Sequence, residues 1–351
     1  MSWVAELARP EIVALRGYPA AAWEPELVRL HANELPWRAP GDDSHAGLNR
    51  YPEPQPQALV ERMAALYAVS SERVLVCRGS DEAIDLLIRA FCRADRDAVI
   101  VCPPTFGMYA VAAQIQGAAV HPVPLRPAGD FALDEKAVLR ACTTQVKIVF
   151  LCSPNNPTGN LLETAAILRI AQALAGRALV VVDEAYVEFA RSASLVAHIP
   201  RHSNLCVLRT LSKAHGLAGA RCGTLIADAE IVRLLRKVIA PYAITQLTLE
   251  AVLRLLGPSQ LEAMSALIAQ VRSERERVTQ AVARLPGITR VWASAANFFL
   301  VQCADAGKAL ARARQARLLV RDMRMYPELP EALRVTIGTA AENGRLLEAW
   351  V

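Results

Sequence analysis

The sequence predicts an α/β protein in two parts, a mostly parallel sheet covered on both faces and a smaller α+β unit after it. Three features of the chain lead there. Between residues 73 and 210, short apolar, β-branched runs alternate with longer amphipathic ones. The short runs are apolar at consecutive positions, the pattern of strands buried on both faces. Beyond about residue 240 the alternation gives way to a long helix-prone, arginine-rich stretch and two further strand-like pieces.

In chain order, RVLVC (73 to 77) leads into GSDEAIDLLIRAFC, where Ile84, Leu87, Ile88 and Phe91 recur at helical spacing. AVIVC (98 to 102) precedes PPTFGMYAVAAQIQG, whose paired prolines turn the chain before a helix. KIVFLC (147 to 152) runs into the turn SPNNPTGN and the helix LLETAAILRIAQALAG; ALVVVDEAY (178 to 186) and NLCVLRT (204 to 210) supply the next strands. Residues 244 to 284 read as helix, and NFFLVQC and ALRVTIG as strands of the smaller domain, which the N-terminal segment is expected to complete. No internal repeat and no low-complexity linker interrupt the pattern. In such sheets ligands bind beyond the carboxyl ends of the strands, and each polar cluster of this chain falls at one of those ends.

Composition narrows the class. The 351 residues are 53% apolar and 21% charged, a globular mix long enough for more than one domain. The 39 basic and 34 acidic residues, net +5, form no basic block, so nucleic acid is not an expected partner. The opening MSWVAELARPEIVALRGYP carries Glu6 and Glu11 and does not read as a signal peptide, and no apolar run is long enough to span a bilayer. Cys77, Cys92, Cys102, Cys142, Cys152, Cys206, Cys222 and Cys303 form no C-x-x-C pair and lie in or beside apolar runs. They are expected as buried thiols in a reducing cytoplasm, with no bridge and no metal.

Positive charge in this chain is mostly arginine: Lys136, Lys147, Lys213, Lys237 and Lys308 are the only lysines. Lys213 stands beside Thr210 and Ser212 in RTLSKAHG. Arginine stays charged at any accessible pH, whereas surroundings can make a lysine neutral and nucleophilic. The plain alternative is a solvated loop charge.

Other polar residues pose similar choices. In CRGSDEAIDLL, Ser80 as an N-cap explains the strand-to-helix junction; Gly79 and the free amides of the first turn also suit a phosphate. Asp183 ends the apolar strand LVVVD, where a carboxylate starts a turn or meets a cation such as a protonated heterocyclic nitrogen, with Tyr186 beside the same ligand. SPNNPTG is a strong turn that also places an Asn amide at the ligand edge. Arg334 within ALRVTIG and Arg321 within LLVRD need anionic partners, either in a buried salt bridge involving Asp322 or in a ligand. Taken together, phosphate-binding amides, an Asp for a pyridinium, a Tyr and an Asn for a phenolic oxygen, and a lone amine-bearing lysine are what pyridoxal phosphate requires.

The ordered set YPEPQ, GSDEAI, PPTFGMY, SPNNPTGN, VVDEAY, TLSKAHGLAGARCG and LRVTIGT resembles the fold-type I pyridoxal-phosphate aminotransferases, in detail their histidinol-phosphate branch. The resemblance runs nearly end to end. It implies a seven-stranded, mostly parallel sheet, with an N-terminal arm at 1–37 that also joins the small domain, a large pyridoxal-phosphate-binding domain at 38–243 and a small C-terminal domain at 244–351. Lys213 is implied as the Schiff-base lysine and proton shuttle, Asp183 as partner of the pyridinium, and Asn156 and Tyr186 as partners of the phenolic oxygen. Lys213, Asp183 and Tyr186 are thus the implied catalytic residues.

Ser80 and Asp81 amides, Thr210, Ser212 and Arg221 are implied at the phosphate, and Phe106 stacks on the ring in place of a commoner tyrosine. Tyr51 is implied to reach the partner subunit's cofactor, hence a homodimer with shared sites. Arg334 is implied to take the carboxylate of glutamate or 2-oxoglutarate. Arg321, with Tyr18 and Tyr242 from the other subunit, is implied at the substrate phosphate, and Asn33 and Asn297 line the pocket. The N-terminal motif departs from the usual pattern at LPWRAPGDD, where Trp37 narrows the entrance. The implied reaction is a cytoplasmic ping-pong transamination between histidinol phosphate and 2-oxoglutarate. The rivals are an aromatic-amino-acid aminotransferase, a threonine-phosphate decarboxylase of the same fold, and a cofactor-sensing regulatory module.

Overall fold

A computed structural model describes residues 2–351 apart from 20, 22, 23 and 25. Seven strands form the large sheet: β1 (Val74–Cys77), β2 (Ala98–Val101), β3 (Ala119–Pro122), β4 (Val146–Cys152), β5 (Leu179–Asp183), β6 (Leu205–Thr210) and β7 (Gly223–Ile226). Their order is β1-β7-β6-β5-β4-β2-β3. Every pairing is parallel except those of β7, which runs antiparallel to both β1 and β6.

Consecutive side chains of each strand point to opposite faces, so an all-apolar strand feeds two cores. Val149, Leu151, Val180, Val182 and Val207 enter one buried cluster, with Met63, Ile167, Ile170 and Val252 from covering helices. Ile148, Phe150, Leu179, Val181 and Leu208 enter the other, with Ile84, Leu87, Phe91 and Ile231. Two-sided burial explains why these strands show no alternation in sequence.

The smaller sheet is antiparallel, ordered β10-β11-β9-β8, from β8 (Ile288–Val291), β9 (Phe298–Cys303), β10 (Arg321–Asp322) and β11 (Ala332–Thr336). Phe299, Val301, Leu333 and Val335 pack with Val278, Val282 and Trp350 on one face. Leu300 and Ala332 turn the other way, into a cluster shared with the large sheet. The helix Pro258–Val282, about 37 Å long at 1.5 Å per residue, braces the junction. From it, Arg272 and Arg275 donate to the Phe189 carbonyl at 3.2 and 3.3 Å.

The N-terminal segment differs from expectation. Val4, Leu7 and Ala8 are buried in the large-sheet core beside Ile84 and Phe91, and among its described residues none contributes a strand to the small sheet. The apolar face of the helix Trp3–Leu7 is only about one turn wide, and it fills a gap left by the large-domain helices. All eight cysteines are free and buried. Among the described residues no helix is long and apolar enough to cross a membrane, and no cluster of His, Cys, Asp and Glu has the arrangement of a metal site.

Candidate active site

The carboxyl ends of β1, β4, β5 and β6 come together on one edge of the sheet, because Cys152 pairs with Asp183 and both Cys77 and Thr210 pair with Gly223. A cavity of about 110 Å3 opens there, lined by Ser80, Asp81, Phe106, Asn156, Asp183, Tyr186, Thr210, Ser212, Lys213 and Arg221, with Cys152 and Ala185. Ten residues singled out from sequence thus converge on one space. Two larger cavities, of about 900 and 540 Å3, hold no such convergence of amine, buried carboxylate and phosphate-suited amides.

Asp183 forms the floor and is 3% exposed. Tyr109 Oη donates to its Oδ2 at 2.7 Å and the Ala185 amide to its Oδ1 at 3.0 Å. Burial pushes its carboxyl up to about 6 in spite of both bonds. Among the described residues no cationic side chain forms an ion pair with this carboxylate, which is therefore placed for a cation from a ligand. Tyr109 is the last residue of PPTFGMY, and nothing in the sequence around it marks its hydroxyl for a carboxylate 74 positions away. It stacks on Phe150 (4.9 Å between centroids) and meets Phe106, which precedes the helix Met108–Gln116, edge-on at 5.6 Å.

Lys213 reaches solvent through the cavity mouth, and its Nζ lies 5.7 Å from the Tyr186 ring centroid. Desolvation by the surrounding walls holds its amine below the usual lysine range, and Arg334 adds to this, while Asp81 and Asp183 oppose it. Tyr186 is buried, edge-on to Phe298 at 5.0 Å, and desolvation raises its phenol.

The phosphate-suited end corrects one expectation. Gly79, not Ser80, is the N-cap of the helix Ser80–Phe91, and it makes no side-chain cap bond, so Ser80 stands inside the first turn. Gly79 has φ +84°, and a Cβ there would lie 2.8 Å from Arg221 Nη2. Gly223 is tighter still: a Cβ on it would stand 2.6 Å from the Ser80 nitrogen. Of the first-turn acids, Glu82 turns away to the Arg78 amide at 2.6 Å, while Asp81 stays at the cavity and pairs with Arg221 at 3.5 Å. Thr210 Oγ1 donates to Ser212 Oγ at 3.0 Å, and Arg221 Nη1 to the same oxygen at 3.3 Å. Amides, two hydroxyls and a guanidinium therefore surround one point at a helix N-terminus.

Two arginines of the small sheet stand outside the cavity lining, Arg334 near enough to act on the Lys213 amine. Arg321 and Arg334 are direct neighbours across β10 and β11. The buried salt bridge with Asp322 does not form, since Asp322 pairs with Arg324 at 2.7 Å. Arg334 donates to Asn156 Oδ1, leaving the Asn156 amide nitrogen for another partner, and its guanidinium sits over the Phe298 ring at 5.4 Å. Desolvation lowers the Arg334 pKa, and Arg321 lowers it further. Like charges opposed across a strand pair repel, so the arrangement calls for an anion between them.

The remaining candidates gather elsewhere. Tyr18, Asn33, Tyr51 and Tyr242 line the 900 Å3 cavity. Tyr51 stacks on Tyr242 at 4.5 Å, and Trp37 is 73% exposed nearby in sequence. Asn297 lies at the entry to β9, its carbonyl accepting from the Ile337 amide at 2.9 Å. No residue belongs to the linings of both cavities.

With sheet, lysine, buried acid and paired arginines in place, the chain belongs to the aminotransferase class I and II family, whose pattern matches residues 26–349. Within that family it is 48% identical to the histidinol-phosphate aminotransferase of Stenotrophomonas maltophilia (strain R551-3) over 350 residues, 99% of this chain and 96% of that one. Solved structures of similar fold include the histidinol-phosphate aminotransferase from Clostridium acetobutylicum, with TM-score 0.78 and 21% identity over 86% of this chain and 90% of that one. L-threonine-O-3-phosphate decarboxylase from Porphyromonas gingivalis aligns with TM-score 0.73 and 26% identity, covering 86% and 92% of the two chains.

Proposed function

We propose that this chain is a pyridoxal-phosphate-dependent transaminase that moves the amino group between histidinol phosphate and 2-oxoglutarate, giving imidazole-acetol phosphate and glutamate, in the synthesis of histidine. One observation carries the reading: Lys213, with its amine pushed toward the neutral form, shares a cavity with Asp183, a buried carboxylate that lacks a cation. A protonated ring nitrogen is such a cation, and the N-terminal amides with Thr210, Ser212 and Arg221 suit the phosphate at the other end. The residues present fit the cofactor.

When bound, pyridoxal phosphate supplies an electrophilic carbon for the amine and a ring that accepts electrons from the substrate's carbon. The chain's own groups do the rest. Asp183, its Oδ2 fixed by Tyr109, would hold a proton on the ring nitrogen. Asn156 and Tyr186 would hold the phenolic oxygen, with Phe106 in the same lining to pack on the ring. Lys213 Nζ, which desolvation shifts toward the neutral form, would take the proton from the substrate carbon that bears the amine. Arg334 receives the carboxylate of the dicarboxylic acid through two parallel hydrogen bonds. Arg321 receives the phosphate of histidinol phosphate, with Asn297 at the pocket wall.

The reading includes a homodimer in the cytoplasm. Tyr18, Asn33, Tyr51 and Tyr242 lie apart from the Lys213 cavity of their own chain, so they serve such a cavity only from a second copy.

Borohydride reduction of the cofactor-loaded protein followed by peptide mapping is expected to leave the cofactor's mass on Lys213. In the half-reaction, histidinol phosphate should convert the yellow enzyme rapidly to the pyridoxamine form. Faster conversion by phenylalanine would move the chain to the aromatic aminotransferases, and release of carbon dioxide from threonine phosphate would move it to the decarboxylases. A protein that binds no cofactor would end the proposal.

A further inference from the structure

We infer that Tyr326 is a positioning residue for substrate recognition: it fixes the β10–β11 hairpin, and with it Arg321 and Arg334, against the Phe106 side of the cavity. This rests on the transaminase reading above and adds a residue to it.

Tyr326 lies in the loop between β10 and β11, half-buried and packed against the core cluster that spans the two domains. Its Oη donates to the Thr105 carbonyl at 2.9 Å. Thr105 is buried, and its Oγ1 donates to Asn155 Oδ1 at 2.9 Å, while Asn155 Nδ2 donates to the Pro104 carbonyl at 2.8 Å. The next residue, Asn156, accepts from Arg334. The contacts therefore close a circuit. Besides its apolar packing, the hairpin is tied to the large domain by two side-chain hydrogen bonds, Tyr326 to Thr105 and Arg334 to Asn156, and these two points are joined through Asn155.

The two points have different fates when substrate arrives. A guanidinium with five N–H donors is shared between Asn156 and any carboxylate it takes bidentately. The phenol has no such second task, so the Tyr326 bond is the one that holds the hairpin docked through both half-reactions. Because Thr105 directly precedes Phe106, the same bond sets the spacing between the arginines and the aromatic that covers the cofactor ring. Loss of the hydroxyl also leaves a buried carbonyl without this partner, which adds to the cost of the docked state.

Tyr326→Phe keeps the ring in the core and removes the bond. With the cofactor-loaded enzyme, KM for 2-oxoglutarate and for histidinol phosphate should each rise about threefold to tenfold, the worth of one hydrogen bond, with kcat nearly unchanged. Calorimetric binding of glutarate, a dicarboxylic acid that cannot react, should weaken by the same factor. The absorbance titration of the Lys213-bound cofactor should not move, since Tyr326 touches neither Lys213 nor Asp183. Thr105→Val cuts the circuit at its Asn155 bond and should raise the same KM values, which keeps the inference testable if the first variant folds poorly. Unchanged KM and glutarate affinity in both variants would overturn the inference, as would a fall in kcat at constant KM. Wild-type enzyme that neither transaminates nor binds glutarate would instead overturn the transaminase reading.

Discussion

Asp183 shows how a single residue carries both a cost and a function. Burial raises its pKa from the ordinary 3.8 to about 6, so the folded chain holds that proton more tightly than the unfolded chain does. The resulting penalty is absent below about pH 4, develops as pH rises toward 6, and is complete above it. A shift of that size corresponds to on the order of 2–3 kcal/mol. Asp183→Asn accepts the Tyr109 hydroxyl without the charge. Cofactor-free Asp183→Asn should therefore melt above the wild type at pH 8 and close to it at pH 4, while releasing added cofactor more readily. Parallel melting curves at the two pH values would show that the carboxylate is not strained by burial. Lys213 shifts in the complementary direction, toward the neutral amine, for the same first reason of desolvation.

At the scale of elements, the site is made by strand ends meeting a helix start at van der Waals distance. β7 delivers Gly223 so close to Gly79 and Ser80 that a methyl group has no room, its nearest backbone atom being 2.5 Å away. Gly223→Ala must push the first turn of Ser80–Phe91 outward. The expected result is a loss of about 1–3 kcal/mol in stability and at least a tenfold weaker hold on pyridoxal phosphate or inorganic phosphate, read by thermal melting and equilibrium dialysis. Unaltered phosphate affinity would mean that this turn is not the phosphate site. Below the same strand ends, buried Arg209 pairs with Glu188 at 2.7 Å and Glu184 at 3.4 Å, tying β5 and β6 together one residue from Asp183 and Thr210. Removing one partner of such a buried set is costly, because the charge left behind has no water.

For the molecule as a whole, the decisive fact is the separation of two clusters within one chain. One holds Lys213 and its neighbours; the other holds Tyr18, Asn33, Tyr51 and Tyr242. If a second copy unites them, Lys213→Ala and Tyr51→Ala chains, each nearly inactive alone, should complement after subunit exchange. Random exchange gives half heterodimers with one intact site each, hence about a quarter of wild-type activity. No recovery, with exchange confirmed by mass, would show that the clusters act within single chains.

The sequence by itself determined the local signals. All-apolar strands, helix periodicity and the Gly, Pro and Asn turns sufficed for the α/β class and for five of the seven strands, because two-sided burial and backbone geometry write themselves into consecutive residues; the short β3 and β7 carry no such run, and the count of seven came from the family resemblance. Residue chemistry at strand ends pointed to Lys213, Asp183, Tyr186 and the Ser80 turn, and the family resemblance added Phe106 and Asn156 to the same lining. The tertiary structure alone decided what depends on partners distant in the chain: that Gly79 rather than Ser80 caps the helix, that Asp322 turns to Arg324 and leaves Arg321 and Arg334 facing each other, and that the first helix joins the large core. Tyr109 and Tyr326 were equally silent in the sequence. A tyrosine has the same signature whether its hydroxyl meets water, a carboxylate 74 positions away or a carbonyl 221 positions away, and only the packed chain brings the acceptor to it.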